Sequence, residues 1–435
     1  MRCLLFVVLA AGLFAAGPLA SAQTPQWDAF SGVEALGDSA GAAYQSGRYA
    51  AAGALFAAAA EGALAADRPS ALYNAACSFA LAGQPEAATD ALAAAVAAGW
   101  SDAAHMQADT DLAALRARPE WADLVDRTAA NAASAARPAA RIVTEDVPRF
   151  WAAYDEALPA LAARDTAAAA AVFRRVYLDP GTDGLTWYVL LKVGSPERFA
   201  AALMRMPAYY ASIRANTLAL DAAAPAIRAG MARLTALSPE AVFPDVFLVV
   251  GVLTSGGTAN GVGLLIGAEM NAATPDSPLG ELSEGTQALI GQADQLPHIV
   301  VHELVHANQN TRGPWTVLRN VLIEGGADCL AQLALPGRTE PHYAAWGRAH
   351  DRAVWTRFMA EKGAADYSQW TGNATFRAAD WTGDLGYYVG AEICRGYLAQ
   401  APDRAQAVRE LLEIRDPEAI LAASGYASRH AVAGE

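Results

Sequence analysis

Residues 297–310 read PHIVVHELVHANQN. The pattern after Pro297 predicts a helix through Asn310. A helix advances about 3.6 residues per turn, so His302 and His306 share one face and their imidazoles can converge on a single ion. Glu303 sits beside them, within reach of a water at that ion. In the H-E-x-x-H pattern two neutral imidazoles bind zinc while the carboxylate takes a proton from water. Leu304 and Val305 are uncharged, as expected if the other side of the helix packs into a core. The chain has 7 His in 435 residues, so two at this spacing around a Glu is an uncommon coincidence. The bland alternative is a helix carrying two surface histidines.

Catalytic zinc normally takes three protein ligands and a water, so the pair needs a third. His298 is four residues before His302 but about 6 Å further along the axis, too far for one ion to bridge all three. It is better read as a supporting residue or as part of the helix N-terminus. Glu324 is the stronger candidate. It stands 18 positions after His306, in Ile323-Glu324-Gly325-Gly326-Ala327-Asp328. The loop Thr311 to Pro314 lets a second helix, about Val317 to Leu335, turn back and present it. Asp328, one turn beyond Glu324, can accept a hydrogen bond from a ring nitrogen of a ligand histidine, His302 first, and fix its tautomer.

Upstream, Phe247 to Leu253 (FLVVGVL) and Val262 to Ile266 (VGLLI) are short apolar runs separated by a Gly- and Asn-rich stretch. They read as two strands of a hairpin or a nearby pair. The Gly-rich stretch is no phosphate cradle, because a strand follows it where a helix N-terminus would be needed. Helical patterns dominate from Asp146 to about Leu237, and a further helix is expected from about Leu385 to Ala399.

Between about Asp38 and Leu124 the chain repeats with a period of 36, matching Gly47 with Gly83, Ala52 with Ala88, Phe56 with Leu92 and Ala60 with Val96. Each unit reads as two helices with small residues where they approach, the pattern of a helical solenoid. The segment resembles tetratricopeptide repeats, most clearly at Tyr44-x-x-Gly47-x-Tyr49-x-x-Ala52. Either it binds a peptide or protein partner in a groove, or it is a packing appendage. Residues 130–145, rich in small residues at their start, read as a linker.

The first residues read as a secretory signal: Met1-Arg2, an apolar run to about Ala16, then Ala20-Ser21-Ala22 before Gln23. The run is short for a bilayer span of about 20 residues. Export to the bacterial periplasm or beyond is expected, with no stable membrane insertion after cleavage. The formal net charge of −14, with scattered Lys and Arg, argues against nucleic acid and anionic membranes as partners. Beyond the signal three cysteines remain, Cys77, Cys329 and Cys394, of which Cys329 and Cys394 are the plausible pair.

H-E-L-V-H followed by E-G-G-A-D resembles the gluzincin group of zinc peptidases, to which thermolysin belongs, although the gap from the second His to the Glu is slightly shorter here. More closely, residues from about Val147 to Tyr397 resemble a domain family of unknown function read as zinc-dependent proteases. That likeness rests on Arg149-Phe150-Trp151-x-x-Tyr154, Gly251 to Glu269, His302-Glu303-x-x-His306-Ala307-x-Gln309, Glu324-Gly325-x-Ala327-Asp328 and Gly386-Tyr387-x-x-Gly390. The resemblance implies an edge strand that binds substrate backbone by strand addition, in the position of Val262 to Ala268 and so near Gly263, Leu264 and Leu265. It also implies that Tyr387, ahead of Tyr388, donates a phenolic proton to a developing oxyanion; an aromatic pair in an apolar helix is otherwise core.

The expected protein is therefore α+β and mostly helical. After the signal (1–22) come the repeats (23–129), the linker (130–145) and a metallopeptidase-like domain (146–435) with a helical part (146–240), a core of strands and metal helix (241–335) and C-terminal helices (336–435). The expected activity is hydrolysis of peptide bonds with one zinc ion, Glu303 acting as general base. The rivals are a scaffold with a structural or vestigial zinc site, and a zinc hydrolase of another amide such as a cell-wall peptide.

Overall fold

A computed structural model describes residues 26–63, 67–134, 140–311, 313–337, 340–378 and 380–431. The expected signal at residues 1–22 lies outside them. The protein is mostly helical with a small mixed sheet of four strands.

The 36-residue period appears as helices α1 (Gln26–Gln45), α2 (Tyr49–Gly62), α3 (Arg68–Leu81) and α4 (Pro85–Ala97), each packed on the next. The same turn recurs at the same offset. Gly47 and Gly83 take positive φ, and the following amides reach back five residues, Arg48 N–H to Ala43 O and Gln84 N–H to Phe79 O. A glycine supplies that left-handed conformation without a Cβ clash. Small residues let the helices close in: a Cβ on Gly53 would run into the Phe79 ring. Tyr73, Leu92, Val96, Leu112 and Leu124 gather in a core of their own, into which α5 (Ala103–Ala108) and α6 (Trp121–Ser134) also pack. The expected linker thus starts as the end of α6 and finishes in strand β1 (Ile142–Val143), with 135–139 outside the described residues.

A larger core runs from Ala140 to Tyr426. Its first layer is α7 (Asp146–Ala163), α8 (Thr166–Phe173), α9 (Asp183–Lys192), α10 (Pro196–Leu203), α11 (Pro207–Leu218) and α12 (Ala224–Leu237). The sheet follows, with β2 (Val246–Val249), β3 (Gly257–Ala259) and β4 (Leu264–Gly267) in the order β1-β2-β4-β3. The two apolar runs do not form a hairpin with each other: β2 and β4 are parallel, pairing Val246 with Leu264 through Val249 with Gly267. Both are buried along their whole length, and such continuous runs carry no alternation that would reveal direction. The hairpin is β3–β4, closed by reciprocal bonds between Asn260 and Gly263. The edge strands are β1 and β3, and β3 is the one that packs against α14. Leu264 and Leu265, with Gly263 just ahead of them, belong to β4, an inner strand paired on both sides, and cannot add a substrate strand.

Tyrosines hold the ends of β2 and β4. Tyr177 OH donates to Val250 O, Tyr210 OH to Gly251 O, Tyr188 OH to Ser255 O and Tyr209 OH to Glu269 O. Glu269, fully buried just past β4, accepts from Gly251 N–H (2.8 Å) and Leu253 N–H (3.1 Å). It thereby holds the turn that leads to β3, where Leu253 has φ +64.

Beyond the sheet come α13 (Glu284–Gln287), α14 (Leu296–His306), α15 (Val317–Ala334), α16 (His342–Ala349), α17 (Asp351–Glu361), the small hairpin β5 (Arg377–Ala378) with β6 (Trp381–Thr382), α18 (Leu385–Gln400), α19 (Arg404–Glu413) and α20 (Pro417–Ala423). Helix α14 ends at His306, short of the expected Asn310, because Asn308 pairs with the backbone of Val242 in both directions. Cys329 and Cys394 are disulfide-bonded, tying α15 to α18, while Cys77 is buried among the N-terminal helices. Among the described residues no helix is long and apolar enough to cross a membrane.

Burial pushes the Glu269 carboxyl up to about 7, outweighing the two N–H donors that favour its charge. The folded state therefore holds this proton more tightly than the unfolded chain, whose glutamate keeps the ordinary value near 4.5. The associated stability is complete at low pH and is lost as the pH rises through about 7. Denaturant unfolding across this window should show stability falling by up to about 3 kcal/mol, and Glu269→Gln should flatten that slope.

Candidate functional site

Helices α14 and α15 meet at the residues singled out from sequence. His302 and His306 project from one face of α14, their Nε2 atoms 3.0 Å apart. Glu324 Oε2 on α15 lies 3.4 Å from His306 Nε2 and 3.8 Å from His302 Nε2. A tetrahedral ion with bonds of about 2.0–2.1 Å places its ligands about 3.3 Å apart, and the circle through these three atoms has a radius of about 2.0 Å. The donor set and its spacing therefore fit one ion of zinc's size, and all three residues are partly open to solvent, leaving a fourth position accessible.

The supporting groups are as specific. His302 Nδ1 donates to Asp328 Oδ1 at 2.9 Å, the pairing expected from sequence. Tyr343 OH on α16 donates to Asp328 Oδ2, a partner that no spacing could have suggested because α16 packs here only through the tertiary fold. Behind the second histidine, His306 Nδ1 lies 2.7 Å from Gln309 Oε1. Gln309 enters the sequence reading only as part of a family-like stretch, without a role. His298 is elsewhere: its Nε2 meets Leu335 O at the far end of α15, so it pins one helix to the other and takes no part in the ligand set.

The electrostatics favour a cation. Burial works against a charged His302, yet its hydrogen bonds to Asp328 and Glu324 win and raise it to about 10. Burial likewise opposes charge on Glu324, and its contacts with His302 and His306 hold it well below the usual carboxylate range. Two imidazole nitrogens 3.0 Å apart repel when both present lone pairs unless a proton or a metal ion lies between them, and the surrounding carboxylates favour such a positive charge.

Helix α18 completes the site. Tyr387 lies tilted against the His302 ring, centroids 6.2 Å apart, and against Tyr343 at 5.5 Å, and hydrogen-bonds Glu324. Burial, then the negative charge of Glu324, pushes its phenol well above the usual value, so it remains a proton donor. Tyr388 points away and donates to Asp351 on α17 at 2.8 Å. Edge strand β3 lies beside Glu303: a Cβ on Gly257 would come 3.3 Å from the Glu303 carboxyl carbon. This contact was invisible in the sequence, where Gly257 lies in the Gly- and Asn-rich stretch between two apolar runs.

The glycines of α15 and α18 make the site possible. A Cβ on Gly325 would approach Tyr387 O and Ala391 N to 2.5 Å, and one on Gly390 would overlap Val321 O. The helices thus touch backbone to backbone beside Glu324 and Tyr387. A second group of ligand-type residues, Cys77, Asp109 and Asp111, comes together in the N-terminal helices. Its oxygens already accept from Tyr73 and Tyr44, and burial raises the Cys77 thiol far above its usual value, so it presents no prepared donor set.

No family, no curated protein and no solved structure matches the chain. The close packing of α15 on α18 is directly testable. Gly390→Ala should force them apart and cost about 1–3 kcal/mol, read as a lower midpoint in chemical denaturation.

Proposed function

We propose that this chain is an exported zinc-dependent metallopeptidase. His302, His306 and Glu324 hold the metal and Glu303 acts as general base. The observation that carries the reading is the triangle of His302 Nε2, His306 Nε2 and Glu324 Oε2, with sides of 3.0, 3.4 and 3.8 Å. Zinc bound there would polarise a scissile carbonyl and acidify a neighbouring water.

The chain's own groups supply the rest. Glu303, next to His302 and touching β3, takes the proton of the attacking water and returns it to the leaving amine. Tyr387 donates its phenolic proton toward the developing oxyanion. Among the described residues no strand pairs with the outer side of β3, Gly257–Ala259, which runs past Glu303. An extended peptide pairing with it would lie across the site, with backbone hydrogen bonds fixing its direction. This favours a peptide or an unfolded protein segment as substrate. The N-terminal helices resemble tetratricopeptide repeats and would present or restrain such a substrate, or a partner protein. Export is supported by the signal-like opening residues and by the Cys329–Cys394 bridge, since disulfides persist in oxidising compartments.

Glu303→Gln should keep about one zinc per chain, measured by metal analysis, yet lose peptide hydrolysis by about 10²–10⁴-fold. Equal cleavage by the two proteins would remove the mechanism and leave a binding or scaffold role. Tyr387→Phe should retain zinc and KM while kcat falls by about 10²-fold in steady-state assays with a quenched fluorescent peptide. An unchanged kcat would return Tyr387 to a packing role.

A further inference from the structure

The two histidines of the site are held from behind by chemically different groups. His302 Nδ1 faces the Asp328 carboxylate, which can only accept. His306 Nδ1 faces a side-chain amide, Gln309, at 2.7 Å. An amide has a donor end and an acceptor end, so by itself it does not choose between the two tautomers of an imidazole. The choice is made one bond further on. Gln309 Nε2 donates to the backbone carbonyl of Ile323 at 2.9 Å. A carbonyl oxygen has no proton to give, so the amide nitrogen must face Ile323 and the amide oxygen must face His306.

We propose that Gln309 is a positioning residue that locks His306 with its proton on Nδ1, leaving the Nε2 lone pair directed at the ion. The purpose of the lock rests on the metal reading above; its geometry does not. The same side chain braces α14 against α15 at the residue before Glu324, so one amide sets both the tautomer of one ligand and the distance to another. Its own placement is fixed by the turn that ends α14. There Gln309 N–H donates to His306 O at 3.1 Å, and the preceding Asn308 is clamped to the backbone of Val242. Asp328 supplies charge to His302, whereas Gln309 supplies orientation to His306 without adding a second negative charge behind the ligands.

Two measurements test the assignment. Zinc affinity, by competition with a chelator, should weaken about 10–100-fold in Gln309→Met. It should change far less in Gln309→Glu, which keeps an acceptor for the His306 Nδ1 proton. The second readout is the His306 tautomer in metal-free protein labelled with ¹⁵N-histidine, practical because the chain has 7 His. It is recorded in a His302→Ala, Glu324→Ala background so that neither group facing Nε2 dictates the proton's position. The Nδ1–H form is expected with Gln309 or with Glu at that position, and a shift to the Nε2–H form with Met. Should Gln309→Met not fold, Gln309→Asn, too short to span from His306 to Ile323, carries the same expectation. An unchanged zinc affinity together with an unchanged tautomer overturns the proposal. Failure of the unmodified chain to bind zinc would overturn the metal reading instead, while the tautomer still decides the part played by Gln309.

Discussion

The structure of the site depends on one constraint: α15 and α18 pack backbone against backbone, with Gly325 and Gly390 at the crossing. Side chains there would hold the helix axes further apart, and the groups needing to be near His302 come from both helices. Glu324 and Asp328 flank Gly325, and Tyr387 lies one turn before Gly390. The Cys329–Cys394 bridge ties the same two helices one turn further along each. Close approach and covalent tie act at neighbouring turns, so the carboxylate, its supporting aspartate and the phenol form one rigid group opposite α14.

Opposite that group, the position of Glu303 depends on buried polar bonds as much as on apolar packing. Tyr177, Tyr188, Tyr209 and Tyr210 and the buried Glu269 satisfy the backbone where β2 and β4 end. In a low-dielectric interior an unpaired N–H or C=O is costly, so this network specifies one path for the chain between the strands. That path delivers β3 to the sheet edge with Gly257 against Glu303. The strand edge and its contact with Glu303 are thereby set by the same loop.

Among the candidate ligands the electrostatics are uneven. His302 sits between Asp328 and Glu324, and Asp328 is held in turn by Tyr343. His306 has the neutral Gln309 behind it. Negative charge is concentrated at one of the two candidate ligands, His302, where it raises basicity, and the other, His306, is oriented by geometry alone. A cation is favoured between the two rings without so many carboxylates that they repel one another.

Several features were legible in the sequence because they depend on local periodicity. Four-residue spacing puts His302 with His306, and Glu324 with Asp328, on single helix faces whatever surrounds them. The 36-residue repeat marks paired helices because the left-handed turns at Gly47 and Gly83 need glycine locally. Strand direction was beyond reach, since β2 and β4 are buried on both faces and show no alternation; edge and inner positions were exchanged for that reason. The roles of Tyr343 and Gln309 and the approach of Gly257 to Glu303 were likewise undecided, and Tyr387 was set ahead of Tyr388 only by a family resemblance. Each depends on which side chains of separate elements end up in contact, and only packing settles that. Local spacing determined which residues can face an ion; the tertiary structure decided what holds them there, because hydrogen-bond partners and close backbone approaches are properties of packed surfaces and not of sequence intervals.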